Sequence, residues 1–302
     1  MIKICFLGLT GSGKTCYLYA ASHVLSEGIQ TDFGNVSILS TSVNRNIELN
    51  RGIEAMASGE DATWPKGSDR TNVFPYDLYI GGHRRADFEI YDYRGGSLDD
   101  DTDNGQDERD ELYETFENSE CVVVFIDALT LMKAFSLKNE AEQTLEYRKA
   151  GRIEESVLKA KNKLNHLKLI ITEACQHVRQ DVPILLTITK KDILSNDELN
   201  AGIENLKYFM GILFSVDSNV TVGITAVSLG RDLASEEVNL GSRRLTGYLH
   251  LDVSRNIHIP ILFPLFVGME NLEPNEKRIA QRIFNSNVIQ LYRGGQIVVP
   301  MW

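Results

Sequence analysis

Eight residues near the start, "GLTGSGKT" at positions 8–15, constrain this chain more than anything else in it. They follow a short β-rich run, "IKICFLG", and lead into "TCYLYAASHVL", whose apolar residues recur at helical spacing. Gly8, Gly11 and Gly13 let the backbone turn tightly and bring its N–H groups to one point. The helix N-terminus adds positive potential there. Strand, glycine loop and helix in this order make a cradle for phosphate groups, built from Gly8, Thr10, Gly11, Ser12, Gly13, Lys14, Thr15 and Cys16. Lys14 is expected to reach the outer phosphates, and the Thr15 hydroxyl to ligate Mg2+. The alternative is a chance glycine-rich turn, against which the strand and the helix on either side weigh.

Such a cradle does not choose between ATP and GTP; the downstream residues must. "RRADFEIYDYRGG" alternates as a strand and ends in Asp92-x-x-Gly95. This has the form of an acidic strand end that holds Mg2+ through water, followed by a glycine whose N–H can meet a third phosphate. Asp–Gly pairs mark turns everywhere, so the weight lies in the order of the motifs. "PILLTITKKD" is an apolar run of the kind a buried parallel strand shows, ending in Thr189-Lys190-Lys191-Asp192. At the end of such a strand, the Asp192 carboxylate can accept two hydrogen bonds from the guanine N1–H and 2-amino groups. Adenine lacks that donor pair. Lys190 would lie along the base plane. The alternative makes Asp192 the N-cap of a helix beginning in "DILSNDEL". In "NVTVGITAVSLG" a backbone N–H at Ser228 or Leu229 would read guanine O6, although the segment is equally an ordinary strand-to-loop turn.

With phosphate loop, DxxG and TKxD in order, the chain resembles a Ras-like GTPase of the TRAFAC class. It is most similar to the bacterial branch with large insertions, which includes the double-GTPase type domains. "DYRGG" and the upstream "WP" share in the resemblance, which covers roughly residues 1–230 in pieces. The resemblance implies an α/β P-loop NTPase fold: a mostly parallel central sheet with one antiparallel hairpin strand, flanked by helices. It also implies GTP and GDP as ligands, Mg2+ as cofactor, and a molecular switch that meets effector and regulator proteins through its switch regions and insertions. A switch threonine should stand just before the hairpin "NVFPYDLYI"–"GGHRR"–"ADFEIYDY". Thr71 does, and is expected to contact Mg2+ and the third phosphate; Thr63, Thr41 and Thr31 are its rivals. Catalysis would then rest on Lys14, Thr71, Arg94 and Gly95, and the metal on Thr15, Thr71 and Asp92.

Two departures from the family pattern imply slow turnover. The place of the water-orienting glutamine holds Gly96, and the loop's third residue is Thr10 where small GTPases keep glycine. A side chain there crowds the space of an arginine supplied in trans. Arg94 can stabilise transition-state charge in cis, or can simply pair with the acidic run that follows. Arg70 and Gln106 are further possibilities, as is a group supplied by a partner.

The 302 residues carry 42 acidic against 31 basic side chains, a net charge of -11. That balance argues against general nucleic-acid binding and against docking on anionic membranes. Cys5, Cys16, Cys121 and Cys175 form no CxxC pair and read as reduced core thiols. No signal peptide, membrane span or lipidation motif is present, so no direct membrane anchor is expected and the cytoplasm is the expected compartment. A single domain over 1–302 is expected, with insertions at about 31–70, 130–152 and 230–258. The first insertion should carry a helix over "NRNIELNRGIEAMASG" anchored by Ile47, Ile53 and Met56, with Trp64 in the loop after it. The acidic run 99–111 reads as a loop and as a second switch segment. An inserted helix is expected at roughly 130–150, a core helix at roughly 153–179, and a hairpin over "TGYLHLDV". "ILFPLFVGMENL" and "EKRIAQRIFNSNVI" read as closing elements. A homodimer or hetero-complex is compatible with all of this. Two other functions compete: an ATP-using, kinase-like P-loop enzyme, and a structural subunit that holds nucleotide without cycling.

Overall fold

The computed structural model describes residues 1–31, 34–57, 65, 71–93, 104–135, 151–177, 181–229, 256–267, 274, 278 and 289–298. The innermost strands are those whose sequences are apolar at nearly every position. β1 (Ile2–Leu7), β6 (Cys121–Asp127), β7 (Ile184–Thr189) and β8 (Val222–Ala226) are buried along almost their whole length, because helices cover both faces. β4 (Asn72–Ile80) and β5 (His83–Asp92) form the expected hairpin across Gly81 and Gly82, both at positive φ. β2 (Ile29–Thr31), β3 (Gly34–Ser40), β9 (Ile289–Arg293) and β10 (Gln296–Ile297) complete a sheet of order β10-β9-β8-β7-β6-β1-β5-β4-β3-β2.

This sheet corrects one expectation. Four neighbouring pairs are parallel, β1 with β5 and β6, and β7 with β6 and β8. Five are antiparallel, so the sheet is mixed rather than mostly parallel with one reversed strand. The extra antiparallel pairs arise at the two wings. β3 lies along β4 from Val36↔Ile80 to Ser40↔Tyr76, so the segment after the first helix adds two strands as well as a helix. At the opposite wing β9 runs antiparallel to β8.

Two apolar layers sandwich the sheet. On one face lie α1 (Lys14–Glu27), α2 (Val43–Ala57) and α7 (Ile259–Val267), contributing Leu18, Ile53 and Phe263. On the other lie α3 (Asn104–Glu117), α4 (Ala128–Phe135), α5 (Gly151–His177) and α6 (Asn196–Phe209), with Phe116, Leu131, Leu164 and Leu206. α2 is anchored by Leu49, Ile53 and Met56; Ile47 is 44% exposed and does not serve as expected. Helix spacing explains this, since Leu49, Ile53 and Met56 stand four and three residues apart on one face. The acidic run is helical from Asn104 onward, because Leu112 and Phe116, also four apart, are buried in the core. α4 and α5 flank the expected inserted helix, most of which lies outside the described residues. Trp64, residues 99–103 and the "TGYLHLDV" hairpin also lie outside them. Among the described residues no helix is long and apolar enough to cross a membrane.

Candidate functional site

The loop joining β1 to α1 lies at the carboxyl end of the parallel strands, where open α/β sheets bind ligands. Gly11 (φ 83°) and Gly13 (φ 84°) take the left-handed conformation that side chains disfavour. Gly8 is required by space: a Cβ there would stand 2.7 Å from Ser12 Oγ and 2.8 Å from the Phe125 carbonyl oxygen. Gly13 is the N-cap of α1, no side chain caps that end, and the first turn holds no acidic residue. The first N–H groups of α1 therefore face the loop without a side-chain acceptor, a fit for an anion. Thr10 and Gly11 are exposed at the rim, while Ser12 and Lys14 are buried. Cys16 follows within α1, and burial pushes its thiol pKa up to about 11, against the opposing pull of Lys190.

At the foot of the loop a charged cluster joins α1 to β5. Lys14 Nζ lies 3.2 Å from Asp92 Oδ1, with side chains only 7% and 1% exposed. The Thr15 hydroxyl donates to Asp92 Oδ2 at 3.1 Å. A hydroxyl and a carboxylate oxygen side by side are the kind of oxygen donors that would hold a hard cation such as Mg2+. The Lys14 ammonium at this spot marks where opposite charges are already balanced in a buried setting. β4–β5 register pairs Asn72 with Asp92, so Thr71 stands one residue from the position facing Asp92. Of its rivals, Thr41 is exposed with its N–H bonded to the Pro75 carbonyl, and Thr31 lies on the edge strand β2. Thr63 lies outside the described residues, as do Arg70, Arg94, Gly95 and Gly96; the side chain of Gln106 does too.

The second half of the site is the turn after β7. The Thr189 hydroxyl donates to the Ser12 carbonyl at 2.7 Å, and Lys190 Nζ donates to the Gly11 carbonyl at 3.2 Å. Two consecutive side chains thus hold two consecutive carbonyls of the phosphate loop. Lys190 has φ 56°, unusual for a residue with a side chain, and Asp192 sits in the 3-10 turn Lys191–Ile193 that follows. The N-cap of α6 is Ser195, in a capping box with Glu198, so Asp192 is not needed as a helix cap. Both Asp192 carboxylate oxygens are buried, and among the described residues no other side chain or backbone group donates to them. Burial pushes the Asp192 carboxyl pKa up, opposed by its own backbone N–H and by Lys190 and Lys191. The neighbouring turn is tied on by Lys191 N–H to the Val227 carbonyl, which brings buried Ser228 and half-buried Leu229 alongside.

No family model matches the chain, and no curated protein matches it. Among solved structures it is similar to translation elongation factor SelB from Methanococcus maripaludis in complex with the GTP analogue GppNHp, at TM-score 0.34 and 10% identity, over 75% of this chain and 29% of that one. It is also similar to the G domain of the T. maritima FeoB iron transporter, at TM-score 0.31 and 14% identity, over 75% of this chain and 87% of that one. A third is the ADP-ribosylation-factor-like GTP-binding protein, small COPII coat GTPase SAR1, from Encephalitozoon cuniculi in complex with GDP, at TM-score 0.30 and 14% identity, over 74% and 68%. The chain thus spans under a third of the SelB chain's length.

Sequence reasoning missed three contributors. Asp127, the last residue of β6, pairs with Lys190 at 3.2 Å. Its signal was present, an acid closing the apolar run "CVVVFID" as Asp92 and Asp192 close theirs. Asn256, with φ 58°, donates from Nδ2 to the Ala226 carbonyl at 2.9 Å, and the Tyr17 hydroxyl donates to the Ile257 carbonyl at 2.7 Å. These contacts support the turn that carries Ser228 from a segment thirty residues away, which no local pattern reveals.

Proposed function

We propose that this chain is a guanine-nucleotide-binding switch that binds GTP and GDP with Mg2+ and hydrolyses GTP slowly. The observation that carries this reading is the Asp192 carboxylate, buried beside Lys190 with both oxygens lacking a donor from elsewhere among the described residues. A desolvated carboxylate without donors is costly. Guanine offers two parallel N–H donors to such a group and adenine does not. Lys190 and Thr189, already bonded to the phosphate loop, hold the base end and the phosphate end at a set separation. Lys14 neutralises outer phosphate oxygens, and the uncapped first turn of α1 adds its N–H groups. Thr15 and Asp92, joined by Thr71, are the residues that would hold Mg2+, whose charge offsets that of the phosphates. Arg94, two residues beyond Asp92, would stabilise charge during hydrolysis, while Thr10 and the side-chain-free Gly96 keep turnover slow. The acidic surface favours protein partners at the switch face.

The test is equilibrium binding of fluorescent GTP, GDP and ATP to wild type and Asp192→Asn, followed by single-turnover phosphate release with Arg94→Ala alongside. Wild type should prefer GTP over ATP by at least about a hundredfold, as sites with dedicated hydrogen-bonding groups do. Asp192→Asn should erase most of that preference, and Arg94→Ala should suppress release. Equal binding of GTP and ATP, or a preference untouched in Asp192→Asn, would overturn the guanine assignment.

A further inference from the structure

Asp127 stands at the junction of three parts of the site. It closes β6 opposite Thr189 in the β6–β7 register. Its Oδ1 accepts from Lys190 Nζ and from the Leu129 N–H, both at 3.2 Å. Its Oδ2 accepts from the Thr130 N–H at 3.1 Å and from the Thr130 hydroxyl at 2.6 Å. One carboxylate therefore caps the first turn of α4 and grips the lysine that reaches Gly11. Lys190 needs that grip, since its backbone is left-handed and its side chain is 31% exposed. An ammonium with a single carbonyl acceptor would swing freely into solvent. With Asp127 on its other side it is held between two acceptors.

We infer that Asp127 is a positioning residue for nucleotide retention, acting through Lys190: its carboxylate holds the lysine on the phosphate loop and along the base plane. The inference rests on the guanine reading above. It assigns to the end of β6 a part in binding that neither the phosphate loop nor TKKD accounts for. An amide cannot substitute. Asparagine has one acceptor oxygen, and turning it to the α4 N–H groups presents an NH2 to the Lys190 ammonium, donor against donor. Serine caps the helix but is too short to serve both partners. Either replacement therefore keeps the cap and breaks the ion pair.

Full-length protein loaded with mant-GDP is chased with excess unlabelled GDP, and release is followed in wild type, Asp127→Asn, Asp127→Ser, Lys190→Met and the Asp127→Asn/Lys190→Met double variant. Both Asp127 variants should release about tenfold faster than wild type, the size expected for losing a charge-assisted bond. Their nucleotide-free melting temperatures should stay within about 2 °C of wild type, because the cap survives. On the Lys190→Met background the Asp127 change should add nothing, since it acts through the lysine. Should Asp127→Asn melt early, Asp127→Ser carries the same comparison. Wild-type release rates in both variants would overturn the inference, as would an acceleration that persists undiminished without Lys190. Failure of wild type to retain mant-GDP at all would overturn the guanine reading, and this inference with it.

Discussion

Lys14 and Asp92 are opposite charges shut away together at the foot of the phosphate loop. Taking two ions out of water costs more than their attraction returns unless further bonds help, and here the Thr15 hydroxyl does. Removing one member strands the other. Lys14→Met should therefore destabilise the nucleotide-free protein by about 3–5 kcal/mol in urea unfolding, besides abolishing nucleotide binding. Adding Asp92→Asn should recover most of the stability and none of the binding, which separates the two roles. Asp192 behaves in the opposite way. Its folded pKa is raised, so its stability contribution is complete only below the unfolded value and is lost as pH rises through the folded one. At neutral pH the free protein carries a cost there, and Asp192→Asn should weaken guanine preference without lowering the melting temperature.

At the scale of elements, the central strands were readable and the wings were not. β1, β6 and β7 have both faces covered, so their composition alone announces them. The β4–β5 hairpin shows through its alternation and glycine turn. β3 alternates too, with Val36 and Ile38 inward and Ser37 outward, but its partner β4 lies beyond a helix and a further stretch of sequence. β9 and β10 are short, and their pairing depends on β8 and on a hairpin whose Gly295 leaves no room for a side chain, since a Cβ there would stand 2.7 Å from the Phe214 carbonyl oxygen. Strand propensity is weak where the pairing partner is distant. α7 docks by a similar close fit. A Cβ on Gly223 would meet Leu185 Cδ1 and Phe263 Cε2, both at 2.8 Å. Gly223→Ala should push Phe263 outward and cost about 1–3 kcal/mol in a denaturation midpoint, the usual range for overpacking.

At the scale of the whole molecule, acid should loosen the attachment of the segment that supports the turn after β8. Burial pushes the His258 pKa down to about 4. A depressed folded value means that the unfolded chain binds the proton first. The stability contribution is full above the unfolded value near 6.5 and falls away as pH drops toward 4. Unfolding midpoints taken between those limits should fall with acid, and His258→Gln should flatten that part of the profile. Legibility at this scale follows from locality. The phosphate loop, the acidic end of β5 and the TKKD turn are contiguous residues whose backbone and chemistry sit in one short stretch, so the sequence by itself determined them, together with the α/β alternation. Only the tertiary structure decided that Thr189 grips Ser12 across 177 residues, that Lys190 bridges Gly11 and Asp127 across 179 and 63, and that Asn256 supports Ala226. The contacts of Thr189 and Lys190 exist because parallel strands distant in sequence end together at one end of the sheet, and that of Asn256 because the approach to α7 folds back onto the end of β8; adjacency of this kind leaves no trace in the spacing along the chain.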